Sequence, residues 1–464
     1  MSKSDIQKPE KRRVNIRQFS TINNTVDGNS GGNAYAEFSY NLDFSAKSLK
    51  NGIGGAKYFN SALPAECKAA WFYRRNNPSN GNCDDRIIFM TKSGLFYGSK
   101  AKTYSFSRIS ALNFSSVPIG VCYNYNGEDV IIFATESDGA YIYNGSTVTA
   151  INDAPPISSA CIHYERLFAT TDGGKTLWFS DDFDPANWSV SLTEAGFIDM
   201  SGYRGEALKV LSFLDYLYVF RSYGVSRVSA YGDQTQFTVS DVFVSSGRIH
   251  RDSVTYCGDL ILFMSNDGFY SFTGLTATRI LTGLDGIVDY TYEGGKGQYF
   301  NGKAYFCVKA HHDGTDYDCL LVYDVHSGGY YLAYGLNIAD ICLVAGREKY
   351  DLVFLDSTGD YLYKIDDSGA LNSEPLPKLW KSKFCDFGIT NRNKVLSSVS
   401  LYTSSDITLT VTSGDRTAVY LIKGKICRQT VKPHLRGDNF ALTIECEEAN
   451  ANVASMSLAF EYYQ

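Results

Sequence analysis

Apolar residues in this chain come in short blocks punctuated by polar turns and glycine, a pattern that favours strands and tight turns over helices. One unit recurs: an apolar run, a turn ending in glycine, then an aromatic-rich run. It reads Ile87-Ile88-Phe89-Met90, Ser93-Gly94, Leu95-Phe96-Tyr97, and again Val130-Ile131-Ile132-Phe133, Asp138-Gly139, Tyr141-Ile142-Tyr143. The same order surrounds Gly174, Gly224, Gly268, Gly314 and Gly359. The glycine spacings are 45, 35, 50, 44, 46 and 45 residues, with a mean near 44. Glycine takes positive φ without steric cost, so Asp-Gly between two apolar runs predicts a hairpin. A period of about 40–50 residues with one strong hairpin is the signature of a propeller blade. Each period has room for two weaker strands, such as those at 118–122 and 147–151. The expected fold class is all-β: residues 66–370 form a β-propeller of about seven blades, six or eight being possible. A long meander or stacked sandwiches is the competing arrangement.

The two ends follow other patterns. Residues 1–65 read as a basic N-terminal arm and lead-in strands. Lys3, Lys8, Lys11, Arg12, Arg13 and Arg17 face only Asp5 and Glu10 in its first seventeen residues. The bland reading is a solvated, flexible tail. The sharper reading is a docking arm for an acidic partner, with Lys8, Lys11, Arg12, Arg13 and Arg17 as the candidate contacts. Two prolines and an Asp-Asp-Ser-Gly run mark a boundary at 366–377. Beyond it, Ile407, Leu409 and Val411 alternate with threonines. The alternation returns at Phe440, Leu442, Ile444 and Cys446, and at Met456, Leu458, Phe460 and Tyr462. Period-two patterning means strands with one buried face, so 371–464 is expected to be a small β-sandwich.

Charge and composition narrow the function. The net charge is −7, which argues against tight wrapping of nucleic acid but allows loose passage of a polyanion. No apolar run approaches the roughly 18 residues of a membrane span, so no integral membrane insertion is expected. The first residues lack the apolar core of a signal peptide, and synthesis in a cytoplasm is expected. The eleven cysteines are scattered singly without Cys-x-x-Cys and read as buried reduced thiols.

Candidate chemistry is sparse. The six histidines form no metal-spaced pair, and His311-His312 would face opposite sides of a strand. There is no Gly-x-Ser-x-Gly elbow, and Gly294-Gly295-Lys296 lacks the Ser or Thr of a phosphate loop. Arg436-Gly437-Asp438 is a three-residue match that chance explains. Thr170-Thr171-Asp172-Gly173-Gly174-Lys175-Thr176-Leu177-Trp178 resembles the Asp-box turn of sialidase-like propellers, with Trp178 one place late and the Phe/Tyr-Arg-Ile-Pro motif absent. No catalytic residue, cofactor or metal is expected.

A second resemblance covers both ends and one blade. Tyr164-Glu165-Arg166-Leu167-Phe168, then Leu177-Trp178-Phe179-Ser180-Asp181 and Asp184-Pro185-Ala186-Asn187-Trp188, resembles a recurring signature of bacteriophage tail proteins. Asn15-Ile16-Arg17-Gln18-Phe19, Asn41-Leu42-Asp43 and Gly52-Ile53 resemble the opening of tail-nozzle, or packaged-DNA-stabilisation, proteins of short-tailed phages. Trp380-Lys381-Ser382-Lys383-Phe384-Cys385-Asp386-Phe387-Gly388 resembles the strand that opens their terminal sandwich. The resemblance implies a non-enzymatic virion component. It would form a ring, most often a homohexamer, below the portal and adaptor rings, in contact with other tail proteins. Viral DNA would pass through its lumen without sequence-specific binding until ejection. The alternatives are a host-receptor or glycan-binding propeller of a phage baseplate and a sialidase-like glycoside hydrolase.

Overall fold

The computed structural model describes residues 9–29, 34–64, 66–76, 83–98, 105–191, 193–345 and 350–462. Strands build it, with single 3-10 turns between some of them and no α-helix among the described residues. Five free-standing sheets each contain four antiparallel strands in chain order, and they start at Cys67–Tyr73, Ile119–Tyr125, Ser159–His163, Ala207–Phe213 and Thr255–Cys257. We number these blades one to five. The last blade is Ile338–Ala345, Tyr350–Asp356 and Leu362–Asp366, and it takes its outer strand, Gly54–Lys57, from far upstream. These six sheets belong to the propeller alone. Between the fifth and the last, the chain lays down another four-stranded unit, Gly297–Phe300, Lys303–His312, Thr315–Asp324 and Tyr330–Tyr334. Its sheet does not stop at the propeller but runs on into the sandwich. The propeller therefore has six blades, one of the counts the spacing allowed rather than the seven it suggested, because the Gly314 hairpin belongs to a sheet shared with the sandwich.

The recurring sequence unit has a physical origin in this arrangement. The apolar run before each glycine is the second strand, which is pressed between neighbouring blades. Arg86–Thr91 is buried at every position, as a strand covered on both faces must be. First strands neighbour one another around the axis, and fourth strands lie outermost, where Thr238–Val244 is mostly exposed. Most hydrophobic cores join adjacent blades, and the largest joins the fifth blade to the sandwich. Phe89, Ala70 and Cys67 of the first blade pack with Val344, Val353 and Leu355 of the last, which closes the ring.

Each anticipated hairpin joins the second and third strands of its unit. Gly94, Gly224 and Gly268 stand opposite Thr91, Arg221 and Ser265, while Asp313-Gly314 is itself the two-residue turn. Gly174 differs: its neighbour Gly173 takes the positive φ. The hairpins therefore correspond as elements but not residue for residue.

The sandwich has two sheets. One contains Lys394–Thr403 and Asn452–Tyr462 at its centre, with Lys425–Val431 at one side. The other contains Tyr35–Tyr40, Lys378–Ser382, Ala441–Cys446, Ile407–Ser413 and Arg416–Ile422. The alternating residues face inward as expected: Leu409, Val411, Leu442, Leu458 and Phe460 are fully buried. The C-terminal segment does not build this domain alone, because Tyr35–Tyr40 supplies a strand and bridges to the propeller, Tyr40 pairing in parallel with Leu332.

The basic arm needs correction. Glu10–Ile16 is not a free tail but a strand paired antiparallel with Asn452–Tyr462, from Glu10 opposite Tyr462 to Ile16 opposite Met456. Its apolar positions explain this: Ile16 is buried in the sandwich core and Val14 packs against it, and burial of such a side chain stabilises by roughly 1.5–3 kcal/mol. Lys8 lies outside the described residues.

Candidate binding surfaces

Two charged surfaces stand out, one at the propeller axis and one on the sandwich. The first gathers where the first strands begin. The turns before them and the second-to-third-strand turns meet there, so residues distant in sequence converge. Lys296 Nζ lies 2.5 Å from Asp340 Oδ1. Asp340 Oδ2 accepts the Ala70 N–H at 3.2 Å, which ties the last blade to the first. Arg251 reaches Asp252 at 3.2 Å and Asp172 at 3.4 Å. The Asp172 N–H in turn donates to the Glu136 carboxylate. Lys209 stands among Asp252, Arg251 and Lys296; burial pulls its pKa down, and the two neighbouring cations add to this. Burial alone would raise the Asp252 carboxyl, yet Arg251 and Lys209 hold it below the usual carboxylate range. Asp252 is thus ionised at neutral pH and has no proton to donate as a general acid. Three cations and four carboxylates thus largely offset one another and link the blades electrostatically.

The motifs singled out in the sequence fall in structural roles. The Asp-box-like turn places Asp172 at this axial mouth, and Trp178 leans on Phe197 at 5.2 Å. Trp188 of the Asp-Pro-x-x-Trp turn is buried between the second and third blades, and its indole N–H donates to Pro185 O at 3.0 Å. Arg436 donates to Asn393 Oδ1 at 2.5 Å, which holds the Arg-Gly-Asp triplet against the sandwich. Glu37, His312 and Asp313 are the one group of three possible metal ligands among the described residues. Lys381 occupies the centre of that group, with Nζ 2.6 Å from Asp313 and 3.2 Å from His312 Nε2. An ammonium therefore supplies the positive charge that a metal would.

The second surface is the outer face of the sandwich sheet that contains Glu10–Ile16. Strand alternation sends Ile16 and Val14 inward and Arg13 and Asn15 outward. Asn15 lies opposite Ser457, Ser457 opposite Ser400, and Ser400 opposite Thr430, so small hydroxyl residues floor the sheet. Arg13 and Arg17 rise at one side of this floor, and Arg428 and Lys432 at the other; all four are exposed. A cleft of about 230 Å³ opens between Arg17 and Arg428, with Ser400, Tyr402 and Ser457 around it. Ser457 Oγ is buried there without a hydrogen-bond partner.

The five suspected docking residues separate accordingly. Arg13 and Arg17 reach this face without an ion pair among the described residues. Lys11 pairs with Glu461 at 3.2 Å, and the Arg12 guanidinium donates to Gly388 O from the opposite face of its strand. Sequence reasoning missed Arg428 and Lys432, which lie more than 400 residues further on. Their alternate spacing on a strand was the available signal, but only strand pairing sets them beside Arg13 and Arg17.

No family model matches the chain, and no curated protein matches it. Among solved structures, it is similar to BBS1N in complex with ARL6DN, with 12% identity, 67% of this chain and 97% of that chain covered, and a TM-score of 0.42. It is similar to the Pan2 WD40 domain of Neurospora crassa, with 9% identity, 65% and 89% covered, and a TM-score of 0.41. It is also similar to PorZ, a bacterial surface component of the type-IX secretion system of Porphyromonas gingivalis, with 11% identity, 80% and 46% covered, and a TM-score of 0.39. These likenesses concern the fold alone. The strand topology makes this chain a β-propeller joined to a β-sandwich.

Proposed function

We propose that the chain is a structural protein of a phage tail, forming part of the ring or nozzle that continues the DNA channel below the portal and retains the packaged genome until ejection. The observation that carries this reading is where the resembling segments meet. They are separated by more than 300 residues in sequence. Yet Ile16, Phe19, Leu42, Trp380, Cys385 and Phe387 share one core. Phe19 meets Trp380 edge-on at 5.1 Å. The two end segments thus form one packed unit, while the third resembling segment, 164–188, lies in the third blade.

Rigidity supports the same reading. A sheet shared by two domains resists relative motion better than a linker does, as a part under internal pressure requires. A ring lumen formed by this chain is neutral or acidic in this reading, because a ring of arginines would gain counterion-release affinity at each phosphate and hold DNA that must slide. No catalysis belongs to this reading: the pairing of Asp172 with Arg251 and of Asp340 with Lys296 suits a structural axial mouth.

Particles assembled without this chain test the proposal. They should package DNA and then lose it, whereas full retention would refute the role. Turnover on a glycoside panel, abolished by one Asp or Glu substitution, would replace the reading with a hydrolase.

A further inference from the structure

The basic sandwich face has a counterpart on the third blade of the same chain. There Glu165, Asp181, Asp182, Asp184 and Glu194 crowd around one nearly buried guanidinium. Arg166 lies 2.6 Å from Asp182 and 2.8 Å from Glu194. Asp182 and Glu194 pair with this cation, while Asp181 and Asp184 accept backbone N–H groups of the same turn. Burial, with Glu194 and Glu165 alongside, pushes the Asp182 carboxyl up despite Arg166. Two exposed aromatics flank this rim: Phe183, 71% exposed, whose N–H donates to Glu165 O, and Tyr164, 46% exposed. The basic face offers the opposite set. Arg13, Arg17, Arg428 and Lys432 carry four charges without a hydrogen bond or ion pair among the described residues. Tyr402, 45% exposed, stands between two of them beside the unpartnered Ser457 hydroxyl. Among the described residues, no ion pair joins the two surfaces.

We propose that the sandwich face of one copy docks on the third-blade rim of a second copy of this chain. The charges are opposite in sign: the rim holds five carboxylates against Arg166, and the face carries four cations. Each surface holds exposed aromatic rings, the side chains that anchor interfaces. The surfaces lie on different domains, so the contact is heterologous and propagates into a closed ring when its rotation closes. The inference rests on the ring reading above and supplies its contact. Opposed charges steer and register such an association and make it salt-dependent.

Charge reversal tests it, with assembly read by sedimentation of the full chain. The wild type should form a ring. Reversing the face (Arg13→Glu, Arg17→Glu, Arg428→Glu) or the rim (Glu165→Lys, Asp184→Lys) should each weaken association by about 100-fold or more, since like charges then oppose. The two reversals in one chain should restore the ring, and an equimolar mixture of the single-surface variants should assemble where neither does alone. The neutral triple Arg13→Gln, Arg17→Gln, Arg428→Gln should show intermediate weakening; it serves if the Glu triple does not fold. A wild-type ring that survives either reversal would overturn this contact and leave the ring standing. Loss of assembly without restoration in the double reversal would likewise show that the two surfaces do not meet. A wild type that is monomeric in solution and in the particle would overturn the ring itself.

Discussion

The His163 imidazole is buried on the first strand of the third blade, with Nδ1 2.8 Å from Ser212 Oγ and no partner for Nε2 among the described residues. Burial lowers its pKa from the ordinary 6.5 to about 4. The unfolded chain therefore takes up a proton on this side chain as pH falls below 6.5, and the folded chain does not until near pH 4. Stability must fall through that window, by about 2 kcal/mol between pH 6.5 and about pH 5, above the range where most carboxylates titrate. Denaturant titrations over this range should show the slope, and His163→Phe should flatten it; an unchanged slope would contradict the burial account. The thiols follow the same physics. Burial pushes Cys161 and Cys307 up to about 12, so they stay protonated and inert. Cys83, Cys122 and Cys427 are the exposed ones. A thiol reagent should label these three in the native protein and the remaining eight only on unfolding. The sequence reading treated all eleven as alike, because exposure at strand edges cannot be read from an apolar neighbourhood.

Among the elements, the closing contacts of the propeller are the most exacting. A Cβ on Gly359, at φ +74°, would stand 2.3 Å from Cys67 O, where the last blade meets the first. Gly314 has a similar φ of +76° but open space around it. Alanine at Gly314 should cost only the left-handed strain of about 1–2 kcal/mol, while Gly359→Ala should cost clearly more by equilibrium unfolding. Equal effects would mean that the ring closure gives way. Asn41 pins the bridge between propeller and sandwich. Its Nδ2 donates to Tyr334 O at 2.9 Å and Pro377 O at 2.7 Å, and its Oδ1 accepts the Tyr334 N–H at 2.8 Å. Asn41→Ala removes three part-buried hydrogen bonds and should cost about 3 kcal/mol. The hairpins and alternating strands were legible because each needs only local patterning: apolar runs, Asp-Gly turns, Thr-spaced Leu409 and Val411. Gly54–Lys57, which closes the last blade, carries no strand signal of its own. Its role comes from its partner more than 300 residues away. Arg13 and Arg17 were legible as basic residues, but their strand was not, since its pairing depends on Asn452–Tyr462.

For the whole molecule, the shared sheet predicts one unfolding event. The strand Tyr35–Tyr40 hydrogen-bonds sandwich to propeller, and Cys257 and Phe269 of the fifth blade share a core with Trp380 and Leu458 of the sandwich. Calorimetry should show a single cooperative transition for both domains; two separated transitions would contradict the shared core. The all-β class and the order of propeller and sandwich were legible from periodicity. The ion-paired axial mouth was not, because Lys296 and Asp340 or Arg251 and Asp172 become neighbours only when blades are arranged around an axis. The assembly belongs to this scale too, and a reconstruction of the virion tail tests it most directly. The account predicts this chain as a ring around the tail axis, in six copies, with the sandwich of each copy against the third blade of the next. A particle in which the chain is a lone monomer, or lies away from the axis, would contradict it.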